Sequence, residues 1–402
     1  SWVLALAMVT MTLLPASAEA VPQSATPEMA VSQEVQTQGA EEVIVGTYGV
    51  LSYKVNQDGT SCSITDCDES AEGELEIPKE IDGYKVTGID EKSFKHCSSL
   101  TSITILEGVT TIGEDAFCAC LSLTSVTIPE SVINIGAFAF SNCEKLTSIT
   151  IPEGVTSIGD GTFCACYSLT SITIPESVTS IGNQAFASCY SLTSITIPES
   201  VTNIGSSVFE YCSSLTNITI PKGVTSIGDD AFRECCSLTS VTIPESVINI
   251  GEFAFYECRS LTSIIIPEGV TSIGENAFNS CHSLTSITIP ESVTSIGDRA
   301  FYDCGSLISV TIPEGVTSIG EKMFYWCSSL TSITIPKSVT EIVGDAFDGC
   351  DQLKDVYYAG TREEREEISF NGKSAPLQNA TWHYNSIGPE VLPDVEVSQT
   401  AR

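Results

Sequence analysis

Cys97, Cys120, Cys143, Cys166 and eight further cysteines up to Cys350 stand 23 residues apart. Twelve phenylalanines, Phe94 to Phe347, keep the same interval three residues before each of these cysteines, and twelve leucines, Leu100 to Leu353, keep it three residues after. A period held twelve times excludes a string of independent domains. It requires a solenoid, because one unit of this size cannot close its own apolar face and must be covered by its neighbours.

The unit is legible in the copy from Leu146 to Ser168. Ile149 and Ile151 alternate with Ser148 and Thr150, the period-2 pattern of a short strand. Pro152 ends the ladder because it has no N–H to donate. Val155 and Ile158 turn the returning segment inward, Gly159 permits a bend, and Phe163 and Cys166 share one face of a short helical or irregular turn. About twelve such coils, about 4.8 Å apart, give a rod or arc on the order of 55 Å long, with a parallel sheet on one face. The first unit, from Leu75, carries extra residues around Asp82-Gly83-Tyr84, and the last departs after Leu353, as end units that shield the core from water do.

The pattern ITIPEGVTSIGDGTF starting at Ile149, the leading segment GTYGVLSYKVNQDG, and the endings VYYAGTREEREEI and NATWHYN resemble the BspA-like leucine-rich repeat proteins of bacterial and some protist cell surfaces. The resemblance spans roughly residues 43 to 385 and implies a leucine-rich repeat solenoid with a β-rich N-flank and a C-terminal cap. It further implies a secreted or surface-attached, non-catalytic protein that binds other proteins, host matrix or neighbouring cells. Arg365 stands where such proteins often carry Trp, which puts the packing of the cap in question.

Residues 2 to 14 are apolar and lead through Pro15 to Ala16-Ser17-Ala18, so residues 1–20 read as a secretory signal with a truncated start. A polar linker is expected over 21–42, a β flank over 43–74, the array over 75–355, the cap over 356–386 and a polar tail over 387–402. With 51 acidic against 17 basic residues, the net charge of −34 opposes nucleic acid and anionic membrane surfaces alike. An extracellular protein or a surface glycan is the expected partner. No cofactor is expected, since the three histidines His96, His282 and His383 are scattered and no phosphate-cradling glycine loop occurs.

The cysteine column reads as buried thiols that pack as small hydrophobes. Equivalent side chains in a ladder point the same way, which disfavours bridging. Cys62 and Cys67, outside the array, are the candidates for a disulfide. Glu follows the strand-ending residue in nine of the eleven units from Leu100 to Leu330, with Lys222 and Lys337 as the exceptions. Calcium could bridge this row, but a single row offers each ion too few of the roughly 6–8 oxygens it prefers.

Two surfaces are candidates for binding. Rows of Ser and Thr two and four residues after each Leu, such as Ser171/Thr173, Ser194/Thr196 and Ser286/Thr288, suit glycan or ice in an alternative structural or surface-protective role. A solvated strand face made largely of good β-formers is the stronger explanation. The positions that vary between coils carry Tyr167, Tyr190, Tyr211, Tyr256, Tyr302, Tyr325 and Trp326 around each Phe and Cys. Aromatic side chains of this kind are enriched in interfaces; the alternative is that each packs over the neighbouring coil.

Overall fold

The computed structural model describes residues 31–38, 41–343, 345–372 and 374–388. The signal segment, residues 21–30 of the linker and residues 389–402 of the tail lie outside the described residues. Four antiparallel strands begin the fold: β1 (Val31–Gln38), β2 (Glu41–Tyr48), β3 (Leu51–Val55) and β4 (Ser61–Cys67). The flank therefore starts at Val31, within the stretch expected to be linker. The polar composition of β1 hides it, because its strand character comes from pairing along its whole length with the more apolar β2.

β4 then pairs in parallel with the strand Tyr84–Ile89, which converts the flank into the first step of a parallel solenoid of about 14 turns. Two strand ladders run along it. One begins with β5 (Glu72–Ile77) against Ser99–Ile105 and continues through three-residue strands such as Ser171–Thr173. The other is built of two-residue strands such as Ser180–Ile181 between Ser157–Ile158 and Asn203–Ile204. Two residues are too few to show a period, so only the first ladder was expected.

A third row of bonds joins the turns around the Phe and Cys. Gln184, Phe186 and Ser188 donate their N–H groups to the carbonyls of Ser206, Val208 and Glu210 at 2.9, 3.0 and 2.7 Å. Aiming alternate peptides at the next coil requires left-handed backbone, and Gln184 and Ser188 adopt it with φ of 54° and 60°. The same two positions recur along the array, which is why this side consists of irregular turns. Helix is confined, among the described residues, to α1 (Arg362–Glu366) and α2 (Ala375–Asn379) of the cap.

Inside the coil lie Leu, Ile, Val, Phe and Cys in columns. The phenylalanine rings stack from Phe94 to Phe347 with centroids 4.9 to 5.7 Å apart. Neighbouring rings are nearly parallel over most of the column, 9° or less between Phe140 and Phe209, so their spacing measures the step of the coil at that depth. That step, 5.6 to 5.7 Å in this stretch, exceeds the roughly 4.8 Å between hydrogen-bonded strands.

The cysteines do more than fill space. From Cys120 to Cys350, eleven thiols each donate to the carbonyl of the phenylalanine 26 residues earlier, at 3.0 to 3.3 Å. A thiol has the volume of a small apolar group with a donor added. The proposed Cys62–Cys67 bridge is not compatible with the fold. The two residues are five apart along the single strand β4, about 16 Å at strand rise, against a disulfide limit of about 7 Å between Cα atoms.

Burial raises the pKa of ten column thiols, Cys120 through Cys327. A folded-state value above the unfolded one leaves stability intact below the unfolded value. Stability is then lost as pH rises, because only the unfolded chain releases the protons. Unfolding monitored by circular dichroism should therefore show a steep loss of stability above about pH 9, at up to ~1.4 kcal/mol per pH unit for each thiol exposed. In urea denaturation at pH 7, Phe255→Ala should cost about 3–5 kcal/mol and Cys258→Ala about 1–2 kcal/mol.

Candidate binding surfaces

The seven candidate aromatic residues fall into three groups instead of one ridge. Tyr167 and Tyr190 occupy one column and stack with centroids 5.0 Å apart, Tyr190 being the exposed member. Tyr211 and Tyr256 are half-buried around Arg233, whose guanidinium lies 5.3 Å from the Tyr256 ring and 5.7 Å from Phe253. Asp230 accepts from that guanidinium at 3.2 Å. Burial raises the Tyr256 and Tyr211 phenols, with Glu257 and Glu234 adding to it. Tyr256 is thus largely a packing residue, the plainer of its two sequence readings.

The third group is the most compact. Tyr302 stacks on Tyr325 at 5.1 Å and 10°, and Tyr325 on Trp326 at 5.8 Å and 17°. Trp326 is 54% exposed and sits in the left-handed region with φ of 61°, a conformation imposed by the turn. Its backbone N–H donates to the Asp348 carbonyl at 2.8 Å, so the ring is carried by a tethered backbone. The next coil has Gly349 at the equivalent position, with φ of 82°, where a Cβ would overlap the indole. Beside the group, Nε2 of His282 and Oδ2 of Asp303 are 3.0 Å apart. Roughly five coils, on the order of 25 Å, separate Tyr302 from Tyr190.

On the three-residue strands, the Ser and Thr rows are exposed as expected, for example Ser171 and Thr173 or Ser286 and Thr288. Their neighbours in the adjacent column serve the fold: Thr124 and Thr170 donate to the carbonyls of Thr101 and Thr147 at 2.9 and 3.1 Å. The rows are interrupted by Ile265, 80% exposed, and the ladder lapses at Ser194–Thr196. The Glu row has internal partners as well. Glu153 and Glu314 donate their N–H groups to the carboxylates of Glu130 and Glu291, each at 3.2 Å. Where Lys222 breaks this row, Thr219, Ile220, Thr242 and Ile243 help to line a cavity of about 400 Å³.

The cap contains a cluster that sequence reasoning missed. Strand Asp355–Tyr358 pairs with Thr381–Tyr384, and this register carries the Ser/Thr rows on to Asp355, Tyr357 and His383. His383 stacks on Tyr357 at 4.8 Å, and its Nε2 lies 2.8 Å from Asp355. Only the position of Asp355 and Tyr357 relative to Leu353 hinted at this. Arg365 packs its guanidinium 4.7 Å from Trp382 and 5.1 Å from Phe370, so the cap is closed by a cation over aromatic rings.

The family model described as "BspA type Leucine rich repeat region (6 copies)" matches residues 87–216, 133–259, 202–318 and 248–376, together most of the chain. The chain belongs to the BspA-type leucine-rich repeat family. A leucine-rich cell surface protein from Faecalibacterium prausnitzii A2-165 is 32% identical; the match covers 81% of this chain and 97% of that one, with a TM-score of 0.52. The pneumococcal vaccine antigen PcpA matches over 85% of this chain and 97% of its own, with a TM-score of 0.55. At 18% identity that likeness concerns the fold alone. No curated protein matches the chain.

As in any repeat protein of this family, surface groups are set by a coil that tolerates them. In Gly349→Ala the added methyl should displace the Trp326 indole and cost about 1–2 kcal/mol from the left-handed backbone. A shift in tryptophan emission, with unchanged far-ultraviolet circular dichroism, is the expected reading.

Proposed function

We propose that this protein is a non-catalytic binding protein of the cell surface that engages an extracellular protein, or a surface glycan, through the Tyr302–Tyr325–Trp326 group. The observation that carries this reading is the exposure of Trp326 on a fixed backbone. An indole held open to water by a rigid coil meets a partner with little ordering cost, and large exposed aromatics on rigid supports dominate binding energy. The family supports the same reading: the Faecalibacterium relative is described as a cell surface protein. Catalysis by the thiols from Cys120 to Cys327 is disfavoured, since they are buried and burial raises their pKa.

The acidic surface favours partners with basic or neutral faces. In a solid-phase assay against host and bacterial surface extracts, with and without calcium, Trp326→Ala should lower capture by roughly tenfold or more at an unchanged melting temperature. Equal capture by Trp326→Ala and the parent would overturn the assignment of this group.

A further inference from the structure

Cys97 is the one column cysteine that lacks the short thiol–carbonyl bond. No phenylalanine precedes it at the required distance; its Sγ lies instead 3.7 Å from the carbonyl oxygen of Cys67 and 3.9 Å from that of Asp68. The Sγ of Cys67 is 3.8 Å from the same Asp68 oxygen, so both sulfurs crowd around one atom. We propose that Cys67 and Cys97 form a disulfide that ties the β flank to the first coil of the array.

The objection that applies along the column does not apply here. Column neighbours are equivalent residues whose Cα–Cβ bonds run parallel, which disfavours bridging. Cys67 ends β4, and its carbonyl takes the place that the Phe94 carbonyl holds for Cys120. It therefore stands at the phenylalanine position of the preceding turn and is not the repeat equivalent of Cys97, so the coil repeat does not make the two Cα–Cβ bonds parallel. Both side chains are buried, Cys67 at 2% exposure and Cys97 at 0%, so oxidation belongs to folding, before the flank closes over the coil.

Chemically, two S–H bonds break and one S–S bond forms. The two protons and two electrons pass to a disulfide oxidant such as glutathione disulfide, which leaves as two thiols. The bridge closes a loop of about 30 residues at the N-terminal end of the solenoid, where the first coil is covered by the β flank instead of by another coil. The proposal concerns the thiols alone and does not depend on the binding role assigned to Trp326.

The test uses the full chain folded in a glutathione and glutathione disulfide buffer, then denatured and alkylated. Of the seventeen cysteines, fifteen should be alkylated, and digestion should give one linked pair of peptides containing Cys67 and Cys97. Lys79, Lys85, Lys92 and Lys95 lie between the two, so trypsin separates the peptides unless the bridge holds them. Adding reductant should lower the melting temperature of the parent by on the order of 5 °C and leave that of Cys67→Ala unchanged. Seventeen alkylated thiols, or a bridge between any other pair, overturns the proposal, and the mapping of the parent decides it even where Cys67→Ala folds poorly.

Discussion

Each coil leaves one apolar edge and a set of backbone donors and acceptors for the next coil to satisfy, and everything else in this protein follows from that stacking. Three rows of inter-coil bonds meet the demand: the three-residue strands, the two-residue strands, and the turns around Phe and Cys. The core repeats at the same step, so a side chain that fits once fits at every level. This is why the columns are so uniform, and why an alteration in one coil acts on its two neighbours and little beyond.

The turn row has a local cost. Two residues per coil sit in left-handed backbone, and most are not glycine. Such a conformation is unfavourable by roughly 1–2 kcal/mol for each ordinary residue, and it persists because the peptide on either side is bonded to a neighbouring coil. The column cysteine belongs to the same solution. Its thiol bonds the carbonyl of the phenylalanine one coil back, from a position too tight for a larger donor, while the aromatic rings beside it set a wider step than the strands do.

Much of this was legible in the residues. The interval between Cys97 and Cys350 determines the solenoid and the core columns, because a strict period constrains every unit at once. The candidate aromatics were less legible. Tyr302, Tyr325 and Trp326 come together because two columns meet across a turn, whereas Tyr167 and Tyr190 form a separate stack and Tyr256 packs with Arg233. At the cap, Asp355, Tyr357 and His383 meet only through strand register, since no period relates residue 383 to residue 357.

By itself, then, the sequence determined the repeating unit and its inward and outward residues. These depend on local alternation and on an interval that a single chain displays in full. Tertiary structure alone decided that β1 is strand, that a second ladder exists, that the thiols are donors, and that Cys67 faces Cys97 instead of Cys62. Each of these depends on which backbone lies across the gap between coils, and that relation is set by the handedness of the turns and the register of stacking, neither of which leaves a period in the chain.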